Sequence, residues 1–424
     1  MKIAVIGGGG REHAIIKKLR ENENVEKIYA LPGNGGIASD AECVEIGAKD
    51  IDAIVDFCRS NRIDFAVVAP DDPLVLGAVD RLEEAGIPSF GPSQKAAMIE
   101  GSKAFAKGLM KKYGIPTADY RIFTDPEKAE EYVTSAELPI VIKASGLALG
   151  KGVTIAYSRD QATDAVHAAM VDRIFGESGS EIVIEEFLSG PEVSVLAFTD
   201  GVNIVPMISS MDHKRAFDGD KGPNTGGMGT VAPNPYYSEK IADECMEKIF
   251  LPTLSAMRDE GAPFKGCIYF GLMITKNGPK VIEYNCRFGD PETQVVLPLL
   301  ESDLLEIMVA CRNGTLDKQK VRFKNSAACC VIMASKGYPV DYKKGYPVTI
   351  PDSIPDCEVF AAGIAKKDGI LVTNGGRVVG VTAVSLSLKD AVSKAYSGVE
   401  KISFENAYFR RDIGSLALSA LKEK

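Results

Sequence analysis

The sequence predicts an α/β protein of several domains, and three observations lead to that prediction. Over about the first ninety residues, short apolar strands alternate with amphipathic helices, which is typical of βαβ units and a parallel sheet. Beyond residue 324 the pattern changes to short strands separated by turns that contain Gly and Pro. The length of 424 residues is also more than one hydrophobic core usually organises.

Composition narrows the class of protein. Apolar residues make up 45% of the chain and charged residues 25%, with a formal net charge of −9, which is ordinary for a globular protein. This acidic balance argues against a broad nucleic-acid-binding face but leaves room for a local basic pocket. The first residues read as a strand and a turn instead of a signal peptide, no apolar run is long enough for a membrane span, and the nine cysteines form no CxxC pair. We therefore predict a cytoplasmic protein with reduced thiols and with no nucleic-acid or membrane partner.

The first loop, GGGG at residues 7–10, follows the strand KIAVIG and precedes the helix that starts with REHA. It does not match the dinucleotide-binding pattern, because Glu12 and His13 stand where a glycine is needed and no acidic residue ends the second strand. Two interpretations remain, a tight turn or a loop whose N–H groups bind a phosphate beside a helix N-terminus. We favour phosphate binding, because a turn needs one or two glycines and not four. The loops PGNGG and APDDP follow the next strands and are expected at the same edge of the sheet.

A second glycine-rich segment reads KASGLALGKG and covers residues 143–152. It resembles a Walker A loop but is not one, since three residues instead of four separate Gly146 from Gly150 and no Ser or Thr follows Lys151. It also lies between two predicted strands. An ordinary flexible hairpin is the simpler interpretation, but the lysines at the start of the loop and inside it favour contact with a triphosphate.

The apolar strand EIVIEEFL contains Glu185 and Glu186 near its end, and Glu192 follows after a turn. A strand edge there can pair with adenine while a carboxylate reaches the ribose hydroxyls. Taken alone, solvated surface glutamates are the simpler interpretation. The segment therefore supports a nucleotide site only in combination with the glycine-rich loop.

The strand VIEYNCRF places Glu283, Asn285 and Arg287 on one face, because side chains alternate along a strand. Two oxygen ligands beside a phosphate loop suit Mg²⁺, which keeps waters and substrate phosphates as further ligands. Arg287 can neutralise charge on a phosphoryl group during its transfer. The alternative, a pair of salt-bridged strands, explains less well why polar residues interrupt an apolar strand.

Residues 212–229 are too rich in glycine for a regular element and too rich in charged residues for a linker. These properties favour a loop that closes on a substrate. His13 and His213 are each candidates for a base, but a lone histidine is more often a hydrogen-bonded structural group, so we assign neither a catalytic role.

Taken together, these motifs resemble those of the phosphoribosylamine–glycine ligases, a family of the ATP-grasp superfamily. The resemblance covers essentially the whole chain, and the motifs appear in the family's order: GGGGREHA, GNGG, VVAPDDPL, KASGLALGKGV, EEFLSGPEVS, DHKRAFDGDKGPNTGGMG, EYNCRFGDPETQ and ASKGYP. The stretches DHKR to GGMG and RFGDPETQ are specific to this family within the superfamily. Two departures concern the site, since Asp71 stands where a longer glutamate is common and the strand CIYFGLM lacks the usual first metal carboxylate.

The resemblance implies an N-terminal parallel α/β domain that binds substrate, an ATP-grasp core with a small lid, and a C-terminal α+β domain. We place these domains at residues 1–102, 103–324 and 325–424, with the lid at about 120–190. ATP is expected to bind between the lid and the core.

The resemblance also implies roles for individual residues. ATP is expected to contact Lys103, Lys143, Gly146, Gly150, Lys151, Gly152, Glu185, Leu188 and Glu192. The substrates are expected to contact Gly9, Gly10, Asn34, Asp71, Gly226, Asp290 and Glu292. The expected catalytic residues are Arg287, Asp212 and Lys214, and the expected ligands of a Mg²⁺ or Mn²⁺ ion are Glu283 and Asn285.

The implied activity is the ATP-dependent joining of glycine to 5-phosphoribosylamine through a glycyl phosphate, which makes glycinamide ribonucleotide, ADP and phosphate in purine synthesis. Because phosphoribosylamine is fragile, a transient contact with the enzyme that makes it is a further hypothesis. Two alternatives stay open: another ATP-grasp carboxylase or ligase of purine synthesis, and a non-catalytic nucleotide-binding regulator. The intact Glu283, Asn285 and Arg287 argue against the regulator.

Overall fold

The N-terminal part of the chain is a parallel sheet whose strands are connected by helices, as the alternation in the sequence predicts. The computed structural model describes residues 1–148 and 151–422. The first elements are β1 (Lys2–Gly7), α1 (Gly10–Leu19), β2 (Lys27–Pro32), β3 (Glu42–Cys43), α2 (Ile51–Ser60), β4 (Phe65–Val68), α3 (Asp71–Val75), α4 (Ala78–Glu84), β5 (Ser89–Phe90) and α5 (Gln94–Gly101). The strand order is β3-β2-β1-β4-β5, with parallel pairing throughout. This order brings the loops after β1, β2 and β4 to one edge, where such sheets bind ligands.

A small antiparallel unit, which we call the lid (residues 120–186), follows the next helix. The elements are α6 (Lys103–Tyr113), β6 (Tyr120–Phe123), α7 (Pro126–Ser135), β7 (Ile140–Ala144), β8 (Val153–Ala156), α8 (Arg159–Val166) and β9 (Ile182–Glu186). The hydroxyl of Ser102 accepts the N–H of Phe105 at 3.1 Å and so caps α6. The lid strands have the order β6-β9-β7-β8. The glycine-rich segment joins β7 to β8, so it is the loop of a hairpin, as predicted.

The middle of the chain holds a second antiparallel sheet. The elements are β10 (Glu192–Asp200), β11 (Ile204–Pro206), β12 (Met211–Asp212), β13 (Arg215–Phe217), β14 (Lys221–Asn224), β15 (Gly229–Ala232), α9 (Glu239–Cys245), α10 (Leu251–Asp259), β16 (Lys265–Thr275), β17 (Gly278–Asn285), α11 (Thr293–Leu299) and α12 (Leu304–Asn313). Four of these strands form this sheet in the order β11-β10-β16-β17. Phe270 of β16 lies in one apolar cluster with Ile6 and Leu31, so this sheet shares a hydrophobic core with the N-terminal sheet.

Residues 212–229, which we call the 212–229 loop, contain strands that the sequence did not predict. They include the short hairpin β13–β14, and β12 pairs with β15. The expectation of a segment without regular elements was therefore wrong here. The stabilising contacts come from far along the chain, since the buried guanidinium of Arg410 donates to Arg215 O at 3.1 Å and to the carboxylate of Asp220 at 2.8 Å. Local glycine content carries no information about such contacts.

The C-terminal part is an α+β domain, as predicted. The elements are β18 (Ala327–Ser335), β19 (Val348–Thr349), β20 (Cys357–Ala361), β21 (Ile364–Lys367), β22 (Ile370–Thr373), β23 (Arg377–Ser385), α13 (Leu388–Val399), β24 (Ser403–Phe404), β25 (Ala407–Tyr408) and α14 (Ser415–Lys422). The main sheet has the order β12-β15-β18-β23-β20, with β25 also paired to β18. Two strands at the ends of the 212–229 loop therefore extend the C-terminal sheet. Across the ranges that the structure describes, no helix has the length and apolar character needed to cross a membrane.

Two buried histidines connect the C-terminal domain to the rest of the chain, and both are neutral. The N–H of Ala361 donates to Nδ1 of His13 at 2.8 Å, so Nε2 carries the proton and donates to a carboxylate oxygen of Asp40 at 3.0 Å. The N–H of Gly414 donates to Nε2 of His213 at 3.2 Å, so the proton of that ring is on Nδ1. Burial lowers the pKa of both imidazoles. Both rings therefore have structural partners.

We expect the free energy of unfolding to decrease as the pH falls below about 6.5, the ordinary pKa of histidine. In that range the unfolded chain binds a proton at each of these two histidines and the folded chain does not. Each one adds a slope of up to about 1.4 kcal/mol per pH unit. Urea unfolding between about pH 7.5 and 5.5 should show that His13→Asn reduces the mean slope by about 0.7 kcal/mol per pH unit, because an unfolded histidine is on average half protonated across this range.

His167→Asn is the matched control, because the side chain of His167 is 52% exposed. In His167→Asn the unfolding free energy should change with pH by the same slope as in the wild type. A wild-type slope in His13→Asn would contradict the prediction.

Candidate active site

A buried cluster of two lysines and one glutamate lies where the lid meets the middle sheet. Lys143 on β7 and Lys107 on α6 approach the same oxygen, Oε2 of Glu185 on β9, at 3.1 Å and 3.0 Å. None of the three side chains is more than 4% exposed. Lys143 also donates to Ile282 O at 3.1 Å, which places its ammonium group beside β17. The cluster holds two positive charges against one negative charge.

This surplus of positive charge suits a phosphate. Burial lowers the pKa of Lys107 to about 8, although the charge of Glu185 acts in the opposite direction. Burial also lowers the pKa of Lys103, against the attraction of Glu283. A bound anion would supply the missing negative charge. Among the described residues, Oε1 of Glu185 has no hydrogen-bond partner, and because this oxygen is an acceptor, a ligand that satisfies it must bring a donor group and not a phosphate oxygen.

The glycine-rich hairpin loop begins beside this cluster. Lys103 donates to Gly146 O at 3.1 Å, and the N–H of Gly146 donates to Ser178 O at 3.0 Å. A Cβ on Gly146 would lie 2.7 Å from the hydroxyl of Ser178, so this close approach requires a glycine. The predicted phosphate contacts Lys103 and Gly146 are therefore adjacent in space.

The end of the same loop reaches the C-terminal domain. Lys151 is exposed, and its Nζ donates to Pro339 O at 3.3 Å. Gly152 is buried and accepts the N–H of Ala144 at 2.8 Å, which closes the hairpin. Gly150, another predicted ATP contact, lies outside the described residues. The backbone bond thus fixes Gly152 opposite Ala144, next to Lys143, while the side chain of Lys151 points to the C-terminal domain.

Lys214 connects two predicted parts of the site. Its Nζ lies 3.1 Å from Oε2 of Glu192 and 3.8 Å from Oε1 of Glu283. The charge of Glu192 raises the pKa of Lys214 well above its ordinary value. Leu188 is half-buried in the turn between β9 and β10, and Glu192 starts β10. The predicted ribose contact, metal ligand and catalytic lysine therefore lie together.

The last residues of β17 present oxygen atoms that fit a divalent cation. Asn285 donates through Nδ2 to Glu100 at 3.0 Å and to Tyr284 O at 2.9 Å, and its Oδ1 accepts no hydrogen bond from the described residues. The carboxylate of Glu283 has one ion-pair contact among them, the one to Lys214 at 3.8 Å. The described chain holds no cluster of three or more His, Cys, Asp or Glu side chains arranged for a metal. A site with two oxygen ligands from the protein leaves most coordination positions of the ion to phosphate and water, and such a site suits Mg²⁺.

Arg287 lies in the bend after β17, because the strand ends at Asn285. The alternation of side chains along β17 therefore does not determine where the side chain of Arg287 points. Its orientation is fixed by Glu100. Nη2 of Arg287 donates to Oε1 of Glu100 at 2.9 Å, and Oε2 of the same carboxylate accepts the N–H of Cys286 at 2.7 Å. Burial opposes the charge of Arg287, but Glu100 and Asp71 raise its pKa. One buried carboxylate thus positions three consecutive residues.

Three predicted carboxylates of the site, Asp212, Asp290 and Glu292, have pKa values that their surroundings shift in different directions. Burial, and then the charge of Glu292, raises the pKa of Asp212 well above its ordinary value, against the effect of Lys214. Burial also raises the pKa of Glu292. Burial acts on Asp290 in the same sense, but Arg377, whose Nη2 lies 3.2 Å from Oδ2, holds that pKa below its ordinary value. Asp212 and Glu292 are therefore stronger bases than ordinary carboxylates, and Asp290 is a weaker one.

The first loop packs against Asp290. A Cβ on Gly9 would lie 3.5 Å from Oδ2 of Asp290, and the N–H of Gly9 donates to Oε2 of Glu12 at 2.6 Å, so the side chain of Glu12 satisfies this N–H at the start of α1. A Cβ on Gly8 would lie 2.3 Å from Gly33 O. Tight packing between two loops therefore explains part of the glycine run. The binding of a phosphate by this loop stays a prediction.

Gly10, Asn34 and Asp71, the other predicted substrate contacts in the N-terminal domain, lie at the same edge of the sheet. A Cβ on Gly10 would lie 2.6 Å from Nε2 of Gln294. The side chain of Asn34 donates to two carbonyls at 2.9 Å and 3.0 Å and accepts from two backbone N–H groups, so its hydrogen-bonding positions are all used inside the protein. Burial acts to raise the pKa of Asp71, but nearby arginines, Arg287 foremost, lower it.

The sequence analysis missed three residues of this region: Glu100, Lys107 and Arg377. Lys107 could have been found, because it follows Lys103 by four residues and so shares its helix face. Glu100 gave a weaker signal as a charged residue at the buried end of α5. Arg377 belongs to the C-terminal domain and donates to Gly226 O at 2.7 Å, a contact that no local pattern indicates.

Comparison with known proteins gives matches along nearly the whole chain. Three family descriptions of phosphoribosylglycinamide synthetase match: the N domain at residues 1–100, the ATP-grasp (A) domain at 101–293 and the C domain at 328–416. The phosphoribosylamine–glycine ligase of Caldanaerobacter subterraneus is 49% identical over 98% of this chain and 100% of its own. That of Rhizobium meliloti is 48% identical over 99% of each chain.

Solved structures give the same result for the fold. The crystal structure of the phosphoribosylamine–glycine ligase of Thermotoga maritima has a TM-score of 0.86 and 34% identity, and covers 97% of this chain and 100% of its own. The biotin carboxylase domain of a 2-oxoglutarate carboxylase from Hydrogenobacter thermophilus has a TM-score of 0.76 at 17% identity, covering 100% of this chain and 94% of its own. At that identity the likeness concerns the fold alone.

Proposed function

The chain belongs to the phosphoribosylglycinamide synthetase family, and from this membership we propose that it joins glycine to 5-phosphoribosylamine in a reaction that cleaves ATP. The products are glycinamide ribonucleotide, ADP and phosphate, in the synthesis of purines. One observation carries the proposal: the lysine cluster lies beside the strand that carries Glu283, Glu283 lies 3.8 Å from Lys214, and Lys214 acts on the carboxylate of Asp212. A phosphoryl donor and a carboxylate substrate can therefore meet there.

In the proposed first step the carboxylate of glycine attacks the γ-phosphate of ATP, and ADP leaves. Lys103 and Lys143 hold the triphosphate, and Arg287 stabilises the charge on the transferred phosphoryl group. Glu283 and Asn285 would hold a Mg²⁺ or Mn²⁺ ion, which supplies further neutralisation of phosphate charge. The product of this step is glycyl phosphate.

In the second step the amine of phosphoribosylamine attacks the carbonyl of glycyl phosphate. The C–N bond forms, phosphate leaves, and the amine loses a proton, for which Asp212 with its raised pKa is a suitable acceptor. Lys214 remains charged beside the intermediate. A neutral amine needs little activation, so correct positioning contributes much of the rate. Closure of the glycine-rich loop keeps water away from the acyl phosphate.

The remaining contacts follow from the same proposal. Glu185 and Leu188 meet the adenine, Glu192 meets the ribose, and Gly146, Gly150, Lys151 and Gly152 cover the phosphates. The substrates lie among Gly9, Gly10, Asn34, Asp71, Gly226, Asp290 and Glu292. The enzyme acts on small molecules in the cytoplasm, without a nucleic-acid or membrane partner, and receives its fragile amine by transient contact with the enzyme that produces it.

The test is ADP release with Mg²⁺, glycine and phosphoribosylamine generated in situ, with each component omitted in turn. We expect release to require glycine and phosphoribosylamine together. Release that depends on bicarbonate and not on glycine would instead favour a carboxylase. ATP binding without any turnover would favour a regulator, and either result would overturn the proposal.

A further inference from the structure

Gly226 in the 212–229 loop is held by the C-terminal domain through both of its backbone polar groups. Its N–H donates to the hydroxyl of Tyr338 at 3.1 Å. Its C=O accepts from Nη1 of Arg377 at 2.7 Å. The position of this peptide therefore depends on two side chains that lie more than a hundred residues further along the chain.

The same guanidinium joins a second segment of the site. Nη1 of Arg377 also donates to Asp290 O at 2.8 Å, and Nη2 pairs with Oδ2 of Asp290 at 3.2 Å. The side chain of Arg377 is 19% exposed. Because guanidinium is a planar fork with several donors, one arginine can hold two loops at a defined separation, which a lysine cannot. Arg377 thus connects the 212–229 loop to the loop that carries Asp290 and Glu292.

The contacts around Gly226 are too close to allow much movement. A Cβ on Gly226 would lie 3.0 Å from Cζ of Arg377, so the guanidinium lies against the backbone. The next residue, Gly227, has a φ of +111°, and a Cβ there would lie 2.7 Å from Oδ1 of Asp212. A shift of this turn would therefore displace Asp212.

We propose that Arg377 and Tyr338 are positioning residues for the two substrates other than ATP. They hold Gly226, and with it the turn that packs against Asp212, while Arg377 also holds Asp290. The inference rests on the proposed function, since it assumes that these carboxylates face glycine and phosphoribosylamine. Within the described chain neither residue contacts the lysine cluster, and Lys151, the predicted ATP contact next to this region, donates to Pro339 O and not to either side chain. We therefore expect their loss to affect ATP less than the other two substrates.

Steady-state kinetics separate this role from a general structural one. Tyr338→Phe removes only the hydroxyl, and we expect it to raise the KM of glycine or of phosphoribosylamine about threefold to tenfold while the KM of ATP stays within about twofold. Arg377→Met removes the hydrogen bonds to both loops, and we expect a loss of about a hundredfold in kcat/KM for the same substrate. The inference would be overturned if the KM of ATP increased as much as the KM of glycine or of phosphoribosylamine. It would also be overturned if kcat and the KM values were unchanged in both variants.

Tyr342→Phe is the matched control. The ring of Tyr342 packs against that of Tyr338, with centroids 5.9 Å apart, but its hydroxyl makes no hydrogen bond to the described residues. Its kinetic constants should equal those of the wild type. Altered constants for glycine or phosphoribosylamine in this control would mean that ring packing, and not the bond to Gly226, positions the loop.

A second measurement does not depend on turnover. Lys214, Arg215 and Lys221 make the 212–229 loop a substrate for trypsin, and cleavage can be followed by mass spectrometry. Without ligands, Tyr338→Phe and Arg377→Met should be cut faster in this loop than the wild type and Tyr342→Phe. Unchanged cleavage would overturn the inference even if the enzyme is active. A wild-type enzyme that releases no ADP with the two substrates would overturn the proposed function instead.

Discussion

Lys143→Met is expected to reduce the turnover number by about a thousandfold and to leave the protein folded. The ammonium group of Lys143 lies between Glu185 Oε2, at 3.1 Å, and Ile282 O, at 3.1 Å, where it faces the proposed triphosphate. Methionine has a similar length and no charge. The fold survives because Lys107 still lies 3.0 Å from Glu185, so the buried carboxylate keeps one cation.

The measurement is ADP release under saturating substrates, together with the urea midpoint of each variant. Lys128→Met is the control, because Lys128 is 75% exposed on the lid and its ion pair with Asp125 is long, at 3.6 Å. It should behave as the wild type in both assays. Near-normal turnover in Lys143→Met and also in Glu283→Ala would show that the nucleotide site is elsewhere.

Local patterns predicted much of the fold. The alternation of strands and helices predicted the N-terminal parallel sheet, and the short strands with Gly and Pro turns beyond residue 324 predicted a strand-rich C-terminal part. The position of the glycine-rich segment between two predicted strands gave the hairpin of β7 and β8. The prediction for the 212–229 loop was wrong. Strand β15, at the end of this loop, pairs with β18, and Gly229 lies opposite Val331, about a hundred residues further along the chain. Propensity within a short window does not contain such a pairing.

The residues of the candidate site divide in the same way into those that a local pattern predicts and those that depend on contacts between distant parts of the chain. Glu283 and Asn285 were predicted because alternation along one strand places them on a common face. Glu100 was not, because its role arises from contact with Asn285, 185 residues further along the chain. Arg377 is a similar case, since it lies 151 residues from Gly226. Residues that act by holding others have no periodicity of their own, so the folded chain is needed to find them.

Arg287→Met is expected to reduce both stability and turnover. The side chain of Glu100 is 6% exposed and has Arg287 as its ion-pair partner, so the substitution leaves a buried carboxylate without a cation. Removal of one partner of a buried pair costs about 3 kcal/mol of unfolding free energy. Loss of the charge that faces the phosphoryl group should lower the turnover number by a further factor of about a hundred to a thousand.

Arg287→Lys separates the two effects. A lysine keeps the positive charge near Glu100, so about half of the lost stability should return, but it cannot also donate to Phe288 O as the guanidinium does at 3.2 Å. Turnover should therefore stay low. Urea unfolding and ADP release measure the two effects, and Arg81→Met, at an arginine that is 51% exposed, should change neither. Turnover that recovers in parallel with stability would contradict this prediction. It would mean that Arg287 acts only by neutralising Glu100, because stabilisation of the transferred phosphoryl group requires the planar guanidinium and not only its charge.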